Sequence, residues 1–319
     1  MRPAWSVILL TTLIGAGQGL FIALVTVEFF FTAGKGFFVV GAVLSLLLLA
    51  AGLTASFFHL GHPERAWRSA AKWRTSWLSR EVIVLPAFMG SVFLYGAAHW
   101  FNWKPVVATL PGGAAIDATF VLGAIGTLLA FSLYLCTGMI YACMRFLREW
   151  HTPLTVINYA LLGGASGFTL AAAFSAWTAP ALVRFFAGWA LIILLLGLMG
   201  RAAALIRNRR LKPKSTPQSA IGIKHPRVVQ TTQGFMGGSF NTREFFHGRS
   251  RASLAWIKWL FLVGTFGLPS LLLSMGPSDT TAGFLSAAFV VQYLGLLAER
   301  WFFFAEANHP QNLYYQAVA

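Results

Sequence analysis

Eight runs of about twenty predominantly apolar residues divide this 319-residue chain, and each run is long enough to cross a membrane as a helix. In lipid, backbone N–H and C=O groups must find partners within the segment, so a run of this length predicts an α-helix. The sequence therefore predicts an all-α integral membrane protein with about eight transmembrane helices. We expect them, with boundaries good to about 2–4 residues, at residues 5–31, 37–59, 81–101, 116–144, 154–178, 182–206, 255–275 and 282–304.

The composition excludes a soluble globular protein. Charged residues make up only 10% of the chain and hydrophobic residues 57%, whereas soluble chains carry about 25% charged residues. The longest polar stretch, residues 207–254, is too short and too poor in periodic apolar residues to form a core. We therefore predict a single transmembrane anchor domain over residues 1–319, with 207–254 as a long basic loop between helices 6 and 7.

Basic residues are distributed unequally between the two sides of the membrane. We name side A the side that carries both termini and the connections after helices 2, 4 and 6. All of the 24 Lys and Arg residues fall there except Lys35, Lys104 and Arg184. The positive-inside rule places side A in the cytoplasm, so both termini are expected to be cytoplasmic. The Lys and Arg side chains lie at helix ends and in loops instead of an aromatic-lined groove, which argues against a nucleic-acid partner.

Two of the nine carboxylates, Glu81 and Glu299, lie where apolar helices begin or end at side A. An ionisable group in such a position usually has a partner or a function. Close to Glu81 in sequence is the densest polar run of the chain, residues 59–68, which contains His59 and Arg65. A quinone site needs apolar and aromatic walls, donors for the carbonyl oxygens and a titratable route to water. His59 and Glu81 have the chemistry of such a donor and relay.

Each of these residues also has a structural interpretation. Arg65 would tie two helix ends together through Glu64 or Glu81, and Ser79 would cap helix 3. Gln18 lies among glycines near the middle of helix 1. Its amide would either hold closely packed helices together or line a quinone pocket.

The cysteines and histidines predict neither a metal site nor a haem. Cys136 and Cys143 lie on one predicted helix about 10 Å apart in rise, too far for a disulfide, and no Cys-based metal site is available. None of the seven histidines lies at mid-membrane, so no haem is expected. A haem held by His59 together with His151 or His309 on side A is the one arrangement of haem ligands that remains open.

In three places the chain resembles the membrane anchor subunit of the dimethyl sulfoxide reductase family. The matching residues are Gly17-Gln18, then His59-Leu60-Gly61 with Pro63, Arg65 and Ala66, then Leu78-Ser79 and Glu81. The resemblance implies an eight-helix anchor without haem that holds a molybdopterin catalytic subunit and an iron–sulfur subunit at the membrane and exchanges electrons with quinone. It implies no catalytic centre in this chain, and a quinone site built from His59, Arg65, Glu81, Gln18, Glu299 and Arg300.

The long loop and the C-terminal tail are more similar to the anchor of the quinone-dependent sulfite dehydrogenases, over residues 234–248 and 306–315. That resemblance implies partners on the cytoplasmic side of a bacterial inner membrane. It favours sulfite oxidation, with electrons passing through the iron–sulfur subunit to ubiquinone or menaquinone. We expect the partner to dock on Arg68, Arg74, Arg80, Arg243, Phe245 and Phe246.

Three alternatives remain open. An anchor of the same fold with the opposite direction of electron flow would oxidise quinol for an S-oxide or sulfur-oxyanion reductase. The sequence leaves the direction of electron flow open because the metal centres lie in other subunits. A transporter would show internal repeats and polar midplanes, whereas the midplanes here are apolar apart from Gln18 and a few Ser and Thr residues. A purely structural tether is the third alternative.

Overall fold

The computed structural model describes residues 1–109, 115–213, 215–231, 243–275 and 281–315. Within these ranges eight helices are long and apolar enough to cross a membrane, which confirms the predicted class and number. They are α1 Trp5–Phe30, α2 Lys35–Phe57, α3 Trp77–Trp100, α4 Ala118–Ala142, α5 Pro153–Thr178, α6 Val183–Arg209, α7 Arg251–Ser274 and α8 Thr281–Glu306. Residues 234–242, part of the loop that carried a resemblance, lie outside the described residues.

The start of α3 differs from its predicted position. The side chain of Ser76 accepts a hydrogen bond from the Ser79 N–H at 3.3 Å, so the cap is Ser76 and the proposed Ser79 cap is wrong. The helix consequently begins at Trp77, four residues before the apolar run. Glu81 therefore lies one turn inside α3, and its side chain is buried.

Glycines on α1 and α5 bring these two helices into backbone contact. A Cβ atom on Gly19 would lie 2.4 Å from the Gly163 carbonyl oxygen, and one on Gly167 would lie 2.1 Å from the carbonyl carbon of Gly19. The small residues recur at four-residue spacing on both helices, as Gly15 with Gly19 and Gly163 with Gly167. This is the small-xxx-small packing that replaces the hydrophobic effect between helices in lipid. The glycines of helix 1 thus permit the close packing of α1 against α5.

The connections contain elements that the hydropathy pattern did not predict. A 3₁₀ helix, Pro63–Lys72, joins α2 to α3, and a two-stranded antiparallel hairpin, β1 Val106–Thr109 and β2 Ala115–Asp117, precedes α4. The long loop contains a short helix, Pro217–Ile221. One turn of α7, Leu262–Gly267, is a π-helix.

The N-terminus meets the end of α8 and the segment that leads into α7 at one face of the bundle. The Met1 amine donates to the Ala307 carbonyl at 2.7 Å, and the Arg2 N–H donates to the Glu244 carbonyl at 2.9 Å. The N-terminus, the segment that leads into α7 and the C-terminal tail thus form one layer. This layer covers the face that the sequence defines as side A.

Candidate functional site

A small polar cavity lies among α1, α4, α5 and α8 in the half of the bundle nearest side A, and α3 contributes one carboxylate to it. Its volume is about 20 Å³, which is room for about one water molecule. The apolar part of its wall comes from leucine and isoleucine side chains of α1, α5 and α8. Its polar lining consists of Thr11, Thr12, Gln18, Glu81, Tyr134, Thr137, Tyr159, Ser166 and Arg300.

Glu81 is the carboxylate of this cavity. Its side chain is 8% exposed, and Oε1 accepts a short hydrogen bond from the Thr137 hydroxyl on α4. No described lysine or arginine forms an ion pair with Glu81 within 4 Å. A carboxyl group inside a membrane bundle with one hydroxyl partner is costly, and such groups commonly carry protons or bind ligands. Among the described residues that line the cavity, Glu81 is the one carboxyl group.

Gln18 and Tyr134 fix the wall between α1 and α4. The Gln18 Nε2 donates to the Ala130 carbonyl at 2.8 Å, and the Tyr134 hydroxyl donates to the Gly15 carbonyl at 2.9 Å. Both side chains are buried. Gln18 ties α1 to α4, as the helix-packing interpretation predicted, and it also lines the cavity.

A chain of buried charges reaches the cavity from α6 and α8. The Arg300 guanidinium lies 3.8 Å from the centre of the Tyr159 ring, and its Nε is 3.5 Å from Glu299 Oε2. The other oxygen of Glu299 is 2.7 Å from Nε of Arg201, whose Nη2 is 3.5 Å from Glu306 Oε2. Two arginines and two carboxylates thus balance one another inside the bundle, as buried charges require.

Comparison with known proteins agrees with this architecture. Residues 1–221 match the family model for "DMSO reductase anchor subunit (DmsC)". The chain belongs to this family. It is also 56% identical over 325 aligned positions to a sulfite dehydrogenase subunit of Allochromatium vinosum, and the alignment covers 100% of both chains. The predicted resemblance is therefore confirmed, and the chain is a multi-pass membrane anchor similar to a sulfite dehydrogenase subunit.

The residues that the family resemblance pointed to divide between the cavity and the surface. The cavity brings together Gln18, Glu81 and Arg300, and Glu299 lies next to Arg300. His59 is exposed beyond the end of α2, and partial burial of its ring lowers its pKa below the usual value. Arg65 is exposed and lies 3.6 Å from Glu64. Neither His59 nor Arg65 is among the described residues that line the cavity.

Three of the predicted docking arginines stack on tryptophans in and beside the 3₁₀ helix. The guanidinium-to-ring pairs are Arg68 on Trp67 at 5.5 Å, Arg74 on Trp73 at 5.4 Å and Arg80 on Trp77 at 4.2 Å. Arg80 also donates to the carbonyls of Trp73 and Arg74, at 2.9 and 2.8 Å. Arg80 therefore fixes the turn that leads into α3, while Arg68 and Arg74 are presented to the outside.

The other predicted docking residues belong to the terminal layer of side A. The ring of Phe245 stacks on His309 at 3.7 Å, and the Phe245 carbonyl accepts from Asn312 Nδ2 at 3.1 Å. Phe246 contacts the ring of Tyr315, with ring centres 6.1 Å apart. These two aromatic residues hold the C-terminal tail in place. Arg243, in contrast, is exposed.

Sequence reasoning missed Arg201, which it counted with the side A charges. Its side chain is 2% exposed and lies inside the bundle, where Phe261 and Phe302 flank the guanidinium. The available signal was the position of Arg201 in α6, with five further residues before the polar loop. That position predicts a buried arginine but does not identify its partner.

A second buried polar cluster lies at side B, the opposite face, and sequence reasoning did not pair its members. His99 is fully buried, with Nε2 3.2 Å from Glu28 Oε1, and Thr119 donates to the same oxygen at 2.5 Å. The His99 ring stacks on Phe38 at 4.3 Å and meets the edge of Tyr95 at 4.6 Å. The cluster ties α1, α2, α3 and α4 together near side B.

Asp117 lies at the edge of this cluster that is nearest the β-hairpin. Its carboxylate caps α4 by accepting from the Phe120 N–H at 2.9 Å and also accepts from the Thr119 hydroxyl at 2.8 Å. Burial acts to raise the pKa of Asp117, but these hydrogen bonds outweigh it and hold the pKa below its usual value. Asp117 is therefore ionised at neutral pH and stabilises the start of α4.

Proposed function

We propose that this chain is the quinone-reactive anchor subunit of a molybdopterin and iron–sulfur complex that oxidises sulfite. The observation that carries the proposal is the 56% identity, over the full length of both chains, to the sulfite dehydrogenase subunit of Allochromatium vinosum. In this assignment a molybdopterin subunit takes electrons from sulfite, and an iron–sulfur subunit passes them to quinone at the anchor. The chain itself supplies the quinone site and not the sulfite-oxidising centre.

The partner subunits would bind at side A in the cytoplasm of a bacterial cell. The excess of basic residues supports this orientation, because cytoplasmic loops of inner-membrane proteins are enriched in Lys and Arg. Arg68, Arg74 and Arg243 present exposed positive charge on this side, and an acidic iron–sulfur subunit would complement it. The cavity also lies in the half of the bundle nearest side A, so electrons would have a short path from the partner.

The cavity supports the quinone assignment by its donor chemistry. A bound quinone accepts two electrons and two protons at its carbonyl oxygens. Arg300 and the second amide hydrogen of Gln18 are donors for such oxygens, and Tyr159 offers an aromatic face. A volume of about 20 Å³ is too small for the ring, so the proposal includes an opening of the apolar wall when the head group binds.

Each lining residue then has a defined task. Glu81 donates a proton toward the head group and recovers it through water in the cavity, while Thr137 holds the carboxyl group in orientation. Arg300 lies on Tyr159 and stabilises negative charge that develops on a carbonyl oxygen. His59 and Arg65 lie on the surface, where His59 is proposed to collect protons from the cytoplasm.

The test is sulfite-dependent reduction of a short-chain ubiquinone by membranes that contain the whole complex, compared with membranes that lack the anchor. Glu81→Gln should lower quinone turnover about 100-fold or more, because general acid–base catalysis contributes about 10²–10⁴. Sulfite oxidation with a soluble electron acceptor should stay unchanged. Glu64→Gln, which removes an exposed carboxylate from the same side, is the matched control.

An assembled Glu81→Gln complex that reduces quinone at the parental rate would remove Glu81 from the mechanism. His59→Ala separates the surface residue from the cavity: unchanged turnover in the assembled complex would remove His59 from the proton route. Tight binding of a quinone-analogue inhibitor only when the anchor is present separates a quinone site from a structural tether.

The second candidate is quinol oxidation for an S-oxide reductase, and the family match over residues 1–221 favours it. The same membranes, supplied with reduced quinol and dimethyl sulfoxide, test this direction. Quinol-driven S-oxide reduction without sulfite oxidation would retain the anchor and its cavity and reverse the electron flow.

A further inference from the structure

Arg201 is a buried cation whose surroundings serve more than charge neutrality. It lies on α6, is 2% exposed, and its Nε is 2.7 Å from Glu299 Oε1. Its guanidinium lies 5.5 Å from the ring centre of Phe261 and 5.7 Å from that of Phe302. The two rings leave the guanidinium little freedom, so the position of Arg201 is well defined by packing.

Glu299 connects Arg201 to the cavity because its two oxygens face different arginines. Oε1 pairs with Arg201, and Oε2 lies 3.5 Å from Nε of Arg300. Glu299 is 1% exposed and Arg300 is 4% exposed, so water does not replace either contact. The Arg300 guanidinium rests on Tyr159 and lines the cavity.

We propose that Arg201 is a positioning residue for the quinone site. By holding one oxygen of Glu299, it leaves only the other for Arg300 and keeps the Arg300 guanidinium over Tyr159, facing the cavity. Without Arg201, both oxygens of Glu299 become available to Arg300. A carboxylate and a guanidinium then favour the two-bond parallel pair, which draws the guanidinium away from the cavity. The inference rests on the proposed quinone site and adds a residue of α6 that does not line the cavity.

The variant Arg201→Gln tests this in the assembled complex, with rates normalised to the iron–sulfur content of the preparation. The KM for a short-chain ubiquinone and the Kd of a quinone-analogue inhibitor should each rise about tenfold, because the head group loses one charge-assisted hydrogen bond from Arg300. Sulfite oxidation with a soluble acceptor should not change. Arg201→Lys should give a smaller rise, because it keeps one positive charge near Glu299 without the fixed fork of donors.

A matched control and a charge-balanced variant separate positioning from folding. Arg207→Gln changes an arginine of the same helix that donates to the carbonyls of Arg148 and His151 at side A, so the KM for quinone should stay parental. The double variant Arg201→Gln with Glu299→Gln removes one positive and one negative charge together. It should assemble normally and bring the KM back toward the parental value, because no carboxylate remains at position 299 to draw the Arg300 guanidinium away from the cavity.

The outcomes distinguish this inference from the proposed function. Parental KM and inhibitor Kd in an assembled Arg201→Gln complex, or a double variant whose KM is raised as much as that of Arg201→Gln, would overturn the positioning role. If Arg201→Gln does not assemble, a parental KM in Arg201→Lys would overturn it instead. If Glu81→Gln and Arg300→Gln also leave quinone turnover unchanged, the quinone site itself is wrong. If those two variants lose turnover while the Arg201 variants keep parental values, only the positioning role fails.

Discussion

The contact between α1 and α5 permits the sharpest prediction from this structure, which concerns Gly167. A Cβ atom at this position would lie 2.1, 2.2 and 2.3 Å from three backbone atoms of Gly19 and Leu20, whereas ordinary contact begins at 3.4 Å. Backbone atoms cannot turn aside as a side chain can, so Gly167→Ala must separate the helices by about 1 Å. Overpacking of this kind costs about 1–3 kcal/mol, which exceeds the gain of about 0.5–1 kcal/mol in helix propensity.

The control is Gly164→Ala, three residues earlier on the same helix, where the nearest atom to a new Cβ is Ile193 Cγ2 at 3.7 Å. The assay is the midpoint temperature of the purified complex in detergent, followed by size-exclusion chromatography after heating. Gly167→Ala should lower the midpoint, and Gly164→Ala should leave it unchanged or raise it. Equal midpoints for the two variants would refute the backbone contact between Gly167 and Gly19.

Two further predictions concern orientation and side B. Cys143 is exposed at the side A end of α4 and Cys136 is buried, so a membrane-impermeant maleimide should label Cys143 in inside-out vesicles but not in intact cells. Labelling of intact cells would place side A outside the cytoplasm. His99→Leu removes the imidazole next to the buried Glu28 carboxylate, and loss of a partner from a buried polar group costs about 1–3 kcal/mol, so the midpoint temperature should fall. Lys104→Gln, at the same side, should leave it unchanged, and equal effects would contradict a structural pair.

The membrane helices could be predicted from hydropathy because the physical requirement is local. A segment in lipid must satisfy its own backbone groups, so about twenty apolar residues specify a helix whatever surrounds it. All eight predicted runs coincide with a helix of the described chain. The largest errors, of four residues each, are the starts of α3 and α7. At α3, Ser76 caps a turn that contains polar residues and continues the helix beyond the apolar run.

The candidate site was only partly predictable. Glu81 and Gln18 were identified because a polar side chain in an apolar helix is conspicuous, and both line the cavity. His59, which belongs to the same sequence motif as Glu81, does not accompany it. The turn after α2 and the 3₁₀ helix separate their positions, and residue spacing along the chain does not report that separation.

The sequence by itself determined the membrane class, the number of helices, the family and the unequal distribution of charge, since each depends on composition or on local order. Only the tertiary structure decided which buried polar groups meet. Arg201 pairs with Glu299, and Glu28 pairs with His99, across long separations in the chain. The reason is physical: hydropathy specifies that a helix crosses the membrane but not which face it turns to which neighbour. That choice depends on close packing such as the glycine contact between α1 and α5.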